Sequence, residues 1–433
     1  MRVCVLEQEV RSLSVTKTPE QVRQKTLRLY DKAAKYARDQ GCGLLLCPEL
    51  GLYIGLTAEQ QLRIAEPVGK LNTEPLNESQ PALAALAQTA RNNGLYLVCS
   101  VIERDDAFYN TTVILDPHGK VIGKHRKMHL YLEAGLIPSH EKPRKVYIPN
   151  IGQVEIITCF DVFFAEANQE CNSDLVLWLT HWYDETPNLT VLSTARAWAI
   201  SNRTPMVVCN ARNLREGTLG AGLFFPDGSG QYTMSFSEER EALHVFDLKS
   251  TSSALIRNPK DIVTPSSVYQ PIATDLSRFN KVPLLQTCGT VRFNLLTISC
   301  RVRYELRCPS KNILYSMFAA EGTRGFGNGD CLYLQELYVI AVDKETRQPS
   351  LHSGSPFRTL SIRIDVKDDC RPQKAFPFVI GDYLSLVDSS KWQFNRDKVE
   401  LKLEGLEVAC AGMFRRVFSK DIPRYVRKRS LTF

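Results

Sequence analysis

Over the first 250 residues, short apolar runs alternate with capped amphipathic segments, and no other feature restricts the fold as much. "RVCVLE", "GLLLCPEL", "LYLVCSVIE", "TTVILD", "GQVEIITC", "DLVLWLT" and "PMVVCNAR" read as strands. The segment "TPEQVRQKTLRLYDKAAKYARDQG" reads as a helix. Thr18 is its N-cap, Pro19 its first helical residue, Gln21 closes a capping box, and Gly41 follows its end. Val22, Thr26, Leu29, Ala33 and Ala37 recur along it at helical spacing. "SQPALAALAQTARNNG", bounded by Ser79 and Gly94, is a second helix, and "LTVLSTARAWAISNR" is a third. "GAGLFFPDGSGQYTMSF" is a hairpin. Continuous apolar strands alternating with helices indicate an α/β fold whose layers are covered on both faces.

The pattern changes after "HVFDLKS". Residues 251–283 carry Ser, Thr and Pro with little periodicity and read as a linker. From Leu284 the chain consists of short strands and turns, such as "CLYLQELYVIAV" and "TLSIRIDV", and predicts a smaller β-rich domain over 284–433. Two domains also suit the length, since single cores stop growing near roughly 250–300 residues. "GFGNGD" (Gly325 to Asp330) has no strand-to-helix context and reads as a turn, not a phosphate loop.

The net charge of +7 hints at nucleic acid, but its distribution argues against that partner. Arg415, Arg416, Lys420, Arg424, Arg427, Lys428 and Arg429 stand against the single acid Asp421 in the last twenty residues, so the remainder is nearly neutral. The basic terminus is expected to be solvated. The longest apolar runs, such as "DLVLWLTHW", fall far short of the roughly 18 residues a membrane span needs. None of the 13 cysteines forms a C-x-x-C pair, so no metal site is expected. Cys4, Cys47, Cys99 and Cys209 lie in apolar runs and read as buried thiols. Cys288, Cys300, Cys308, Cys331, Cys370 and Cys410 offer up to three disulfides, which would imply an oxidising compartment. The opening "MRVCVLEQE" already reads as a strand, without the apolar core of a signal peptide. That is the mark of an intracellular product, or of a chain whose export segment lies upstream.

Three residues with chemical potential stand at or just past the ends of apolar strands. Glu49 follows "LLLCP", Lys127 follows "VIGKHR", and Cys159 ends "VEIIT". Ligands of layered α/β folds bind outside the carboxyl ends of strands. Taken alone, Cys159 is more simply a buried thiol; the convergence of three reactive types favours a site. A carboxylate at Glu49 suits a general base, and an ammonium at Lys127 suits an oxyanion partner. The backbone N–H of Phe160, expected at the start of a helix, is a second oxyanion donor. A thiolate pKa depressed by this setting would make Cys159 label faster than the buried cysteines. Together these groups describe attack on an amide carbonyl, a thioester, and its hydrolysis, with no cofactor or metal.

"CPELGLY", "GKHRKMHLYLEAG" and "GQVEIITCFDVFF", in this order, resemble the nitrilase (carbon–nitrogen hydrolase) superfamily with its Glu–Lys–Cys triad. "TCFDVFF", "LTHWYDETPNLTVLSTARAWAISNRTPMVVCNA" and "TCGTVRFNLLTISCRVRYEL" resemble its vanin and biotinidase branch, so the resemblance covers nearly the whole chain. It implies a four-layer αββα sandwich followed by a smaller β-rich C-terminal domain. It implies hydrolysis of a secondary amide, in pantetheine to pantothenate and cysteamine or in biocytin to biotin and lysine. Glu49, Lys127 and Cys159 match the triad, and Glu133 matches a second glutamate that orients the lysine. His181 and Trp182 line the substrate pocket on this view; packing at a domain edge is the alternative for both. The branch implies an extracellular location, against a cytoplasmic one from the missing signal peptide. Two further departures are the absence of a cysteine pair between Glu49 and Leu95 and a basic tail in place of an apolar one. Of the sequons at Asn77, Asn110, Asn188 and Asn202, Asn77 is the expected glycan acceptor on export, while Asn110 and Asn202 are expected to be structural. The readings left open are pantetheine hydrolase, biotinidase-like or other small amidase, and an inactive binding or scaffold homologue. Monomer and homodimer are both open.

Overall fold

All the strands of the first 250 residues but the short Glu185–Thr186 form two sheets packed face to face. The computed structural model describes residues 1–10, 17–141, 145–168, 172–239, 241–250, 254–256, 264–265, 267–326, 329–367 and 373–422. The first sheet has six strands in the order Glu241–Asp247, Arg2–Gln8, Cys42–Leu46, Tyr96–Arg104, Phe108–Leu115, Val121–Arg126. Its strands beginning at Arg2, Cys42 and Tyr96 are parallel and the outer ones antiparallel. The second sheet places Gly152–Thr158, Leu175–Thr180 and Met206–Asn210 side by side in parallel, followed by the predicted antiparallel hairpin Ala221–Phe224 and Gly230–Thr233.

Period-two alternation sends each strand's side chains to two different cores. Val3, Val5, Leu44, Leu46, Val98 and Ile114 meet Val154, Ile156, Leu175, Leu177, Val207 and Leu223 between the sheets. Cys4, Leu6, Leu45, Leu97 and Cys99 point outward against helices Pro19–Asp39 and Pro81–Asn93. The first helix carries the predicted capping box, with Thr18 and Gln21 bonding reciprocally. The second differs from expectation at its start. Gln80, not Ser79, precedes it, and the buried Glu66 carboxylate accepts the N–H groups of Ala82 and Leu83 in place of a side-chain cap.

The third helix, Val191–Asn202, covers the other face of the second sheet, completing the αββα order, and every one of its residues is buried. Such all-round burial needs a second covering surface, and the C-terminal region provides it. That region is a sandwich of two five-stranded sheets. One contains Ile313–Gly325, Cys331–Asp343, Cys410–Val417 and Gln373–Ile380, and its Phe318, Tyr338, Phe378 and Phe414 pack in one core with Trp198 and Trp178. Its other face, through Met317, Leu337, Val339 and Met413, packs on Val302, Ile362 and Leu401 of the outer sheet. The stretch read as a linker contributes three strands: Ala254–Leu255 pairs with Gly230–Thr233, Ile272–Ala273 pairs with Glu185–Thr186, and Asn280–Pro283 joins the sandwich. Residues 251–253, 257–263 and 266 of that stretch, and the basic residues from Arg424 onward, lie outside the described residues.

Two charge and cysteine expectations change. Arg415 and Arg416, counted with the solvated tail, are buried on strand Cys410–Val417. The described C-terminal cysteines are all free: Cys300 faces the sandwich interior, Cys410 faces the helix-covered core, Cys331 is buried, and Cys288 and Cys308 are exposed. Cys171 and Cys370 lie outside the described residues, as do two positions of the "GFGNGD" turn. Among the described residues no helix is long and apolar enough to cross a membrane. Asn77 lies in an exposed turn, whereas Asn110, Asn188 and Asn202 are buried.

Candidate active site

Glu49, Lys127 and Cys159 leave the same end of the two facing sheets, and the fold brings all three together. Lys127 Nζ donates to Glu49 Oε1 at 2.8 Å and to Glu133 Oε1 at 2.5 Å. Glu49 is held from every side: Asn110 Nδ2 donates to its Oε1 at 2.9 Å, and the His181 N–H to its Oε2 at 3.1 Å. The Asn110 carbonyl also accepts the Lys127 N–H at 2.8 Å, so one strand residue positions both charged partners. Asn110 was read from the sequence only as a structural sequon; its place at the start of a strand gave no sign of the partners it would meet.

Cys159 ends the strand Gly152–Thr158 with φ at +46°, in the left-handed region that non-glycine residues seldom occupy. The Trp178 indole N–H holds its carbonyl at 3.0 Å. The segment that follows differs from expectation. It is a five-residue 3₁₀ turn, Cys159–Phe163, not a longer helix, so Phe160 N–H has no helix dipole behind it. The sequence signal for a helix was the apolar run "CFDVFF". Within the turn, the Asp161 carboxylate accepts the N–H groups of Met128 and His129 and contacts His125 Nε2 at 3.0 Å. The same contacts fasten the turn carrying Cys159 to the segment carrying Lys127.

The electrostatics also correct an expectation. The Cys159 thiol is not depressed. Burial, and next the Glu49 carboxylate, push it up to about 12, and Lys127 does not offset them. Burial works against the Lys127 ammonium, but Cys159, Glu49 and Glu133 outweigh it and hold it well above the ordinary lysine value. The resting arrangement is therefore a neutral thiol beside one ammonium shared by two carboxylates. Near neutrality such a thiol holds only a trace of thiolate, and a base that takes its proton during attack is what makes it fast enough for turnover.

A cavity of about 70 Å³ opens on Cys159. It is lined by the predicted His181 and Trp182, and also by Tyr131, Phe163, Tyr183 and Phe326. Sequence reasoning missed the last four, which come from loops and from the distant sandwich. Ligand sites typically measure roughly 300–1,000 Å³, and this one is small beside them. Among the described residues no group of three or more His, Cys, Asp or Glu side chains is placed to hold a metal ion.

Residues 3–253 match the family model described as carbon-nitrogen hydrolase. Human pantetheine hydrolase VNN2 is 24% identical over 377 residues, spanning 78% of this chain and 71% of its own length. Pantetheinase of Bos taurus is 22% identical over 443 residues, spanning 92% and 85%. Biotinidase of Takifugu rubripes is 25% identical over 238 residues, spanning 47% and 46%. Among solved structures, an amidase from Nesterenkonia sp. aligns with a TM-score of 0.46 and 23% identity, covering 57% of this chain and 90% of that one.

Proposed function

We propose, from the premise that this chain belongs to the carbon-nitrogen hydrolase family, that it cleaves the secondary amide of pantetheine, releasing pantothenate and cysteamine. In the first half-reaction Glu49 takes the Cys159 proton as Sγ attacks the amide carbonyl. Lys127 Nζ and the Phe160 N–H receive the developing oxyanion; each such donor is worth on the order of 10²–10³ in rate. Glu49 passes its proton to the leaving nitrogen, the C–N bond breaks, and a thioester remains on Cys159. In the second half-reaction Glu49 takes a proton from water, which attacks the thioester; the carboxylic acid departs and the thiol is restored. Glu133 keeps Lys127 charged and in place, and the aromatic walls of Tyr131, Phe163, His181 and Trp182 receive the substrate.

The observation that carries this reading is that Lys127, bonded to both Glu49 and Glu133, lies within electrostatic reach of Cys159, and that Cys159 opens on an aromatic-walled cavity. The substrate choice is supported by likeness to pantetheinases along most of the chain; the likeness to biotinidase spans about half of it. The test is release of cysteamine from pantetheine by the purified chain, with Cys159→Ala as control. Turnover that vanishes in the variant supports nucleophile, reaction and substrate together. A folded chain that cleaves biocytin but not pantetheine would move the reading to the biotinidase side. One that cleaves neither would leave the inactive homologue.

A further inference from the structure

The mouth of the cavity is built from parts that the hydrolytic steps leave unused. Glu185, in the short strand Glu185–Thr186, and Ile272, in the strand paired with it, form one lip. Phe326, just past the sandwich strand Ile313–Gly325, forms the other. Arg324, within that sandwich strand, joins the two. Its guanidinium lies 5.0 Å from the centroid of the Phe326 ring, and its Nη2 bonds Glu185 Oε1. Its second terminal nitrogen, Nη1, is buried with no hydrogen-bond partner among the described residues.

An arginine offers its donors in a rigid fork, and a buried N–H without an acceptor carries a desolvation penalty until something pairs with it. Burial works against the charge of Arg324, but Glu185 and then Glu336 outweigh it, so the guanidinium stays charged. With Nη2 committed to Glu185, an anionic group arriving at Nη1 would face the Glu185 carboxylate across the same fork. A neutral oxygen meets no such repulsion and satisfies the idle donor.

We propose that Arg324 is a specificity-determining residue: its Nη1–H binds a neutral oxygen acceptor, a hydroxyl or an amide carbonyl, on the acyl chain of the substrate beyond the scissile carbonyl. This rests on the amidohydrolase reading and deepens it, since it assigns acyl-chain selection to the C-terminal sandwich. The experiment compares kcat/KM for pantetheine with that for an N-acyl cysteamine of similar length whose acyl chain carries no further oxygen. Wild type, Arg324→Ala and Arg324→Lys are measured, with thermal unfolding of each. The ratio of the two kcat/KM values falls on the order of 10–100-fold in Arg324→Ala, mainly through KM, and Arg324→Lys recovers part of it. Proportional loss on both substrates, as a merely structural role would give, overturns the inference. Wild-type inactivity on both amides overturns the underlying amidohydrolase reading instead. If the alanine variant does not fold, Glu185→Gln decides. Removing that carboxylate weakens the wild-type preference for a neutral over a carboxylate-ended acyl chain, and an unchanged preference refutes the assignment.

Discussion

Replacing Lys127 by Met keeps an unbranched stem of similar length and removes the charge that two buried carboxylates share. Both Oε1 atoms bond the same Nζ, at 2.8 and 2.5 Å, so they lie at most about 5.3 Å apart. At an effective dielectric of roughly 20, two unit charges at that separation repel by at least about 3 kcal/mol. The comparison is urea unfolding of wild type and Lys127→Met at pH 8 and pH 5. In the wild type the ammonium is held well above the ordinary lysine value, so its contribution is complete at both pH values and is lost only on going far more alkaline. In the variant the repulsion makes the folded state bind a proton more readily than the unfolded chain does, so stability rises as pH falls. The expected deficit is about 3 kcal/mol or more at pH 8 and clearly smaller at pH 5. A variant as stable as wild type at pH 8, or a deficit indifferent to pH, would refute the claim that one ammonium holds both carboxylates.

The raised Cys159 thiol gives a second prediction. Its alkylation by iodoacetamide, followed by intact mass, climbs about tenfold per pH unit from pH 7 to 10 without a plateau. Glu49→Gln removes a charge that raises the thiol, so labelling at pH 8 becomes faster while turnover drops on the order of 10²–10⁴. A plateau near neutrality, or slower labelling in the variant, contradicts the assigned electrostatics. Arg416 gives a third. Its Nε donates to the Phe163 carbonyl at 3.0 Å and its terminal nitrogens pair with Asp421, so Arg416→Met breaks both contacts, leaves the partly exposed Asp421 carboxylate with the Tyr333 N–H, and costs about 1–3 kcal/mol. Adding Asp421→Asn recovers part of the stability, as denaturant midpoints will show, but not the lost kcat, because the Phe163 contact stays broken.

The parts of this molecule that were legible in the sequence are those encoded within a dozen residues. The capping box at Thr18 and Gln21 is read from spacing alone, and so are the strands that end at Glu49, Lys127 and Cys159, because period and capping are local properties. The failures share a cause. "CFDVFF" reads as the opening of an apolar helix, but its aspartate is claimed by amides of Met128 and His129, more than thirty residues earlier. Arg416 looks like tail charge until strand Cys410–Val417 carries it against Phe163, 253 residues away in sequence. Asn110 looks like a sequon until Glu49 and Lys127 close around it. Burial of a charged group is decided by its partners, and a linear reading has no access to them.

This division has a functional consequence. The residues proposed to make and break bonds all come from the first 160 positions, at strand ends that any chain with this αββα core presents. The residues that shape access come from elsewhere. The sandwich buries the outer face of Val191–Asn202, holds the turn that carries Cys159 through Arg416, and sets Phe326 at the cavity, with Arg324 behind it against Phe326 and Glu185. Removing it would do more than trim the chain. It would expose an all-buried helix, release the Phe163 carbonyl, and leave the cavity without one lip. On the proposed reading, chemistry is carried by the first region, and substrate choice by the contact between the two. Variation in the strand Ile313–Gly325 should therefore alter which amide is cleaved before it alters whether one is cleaved.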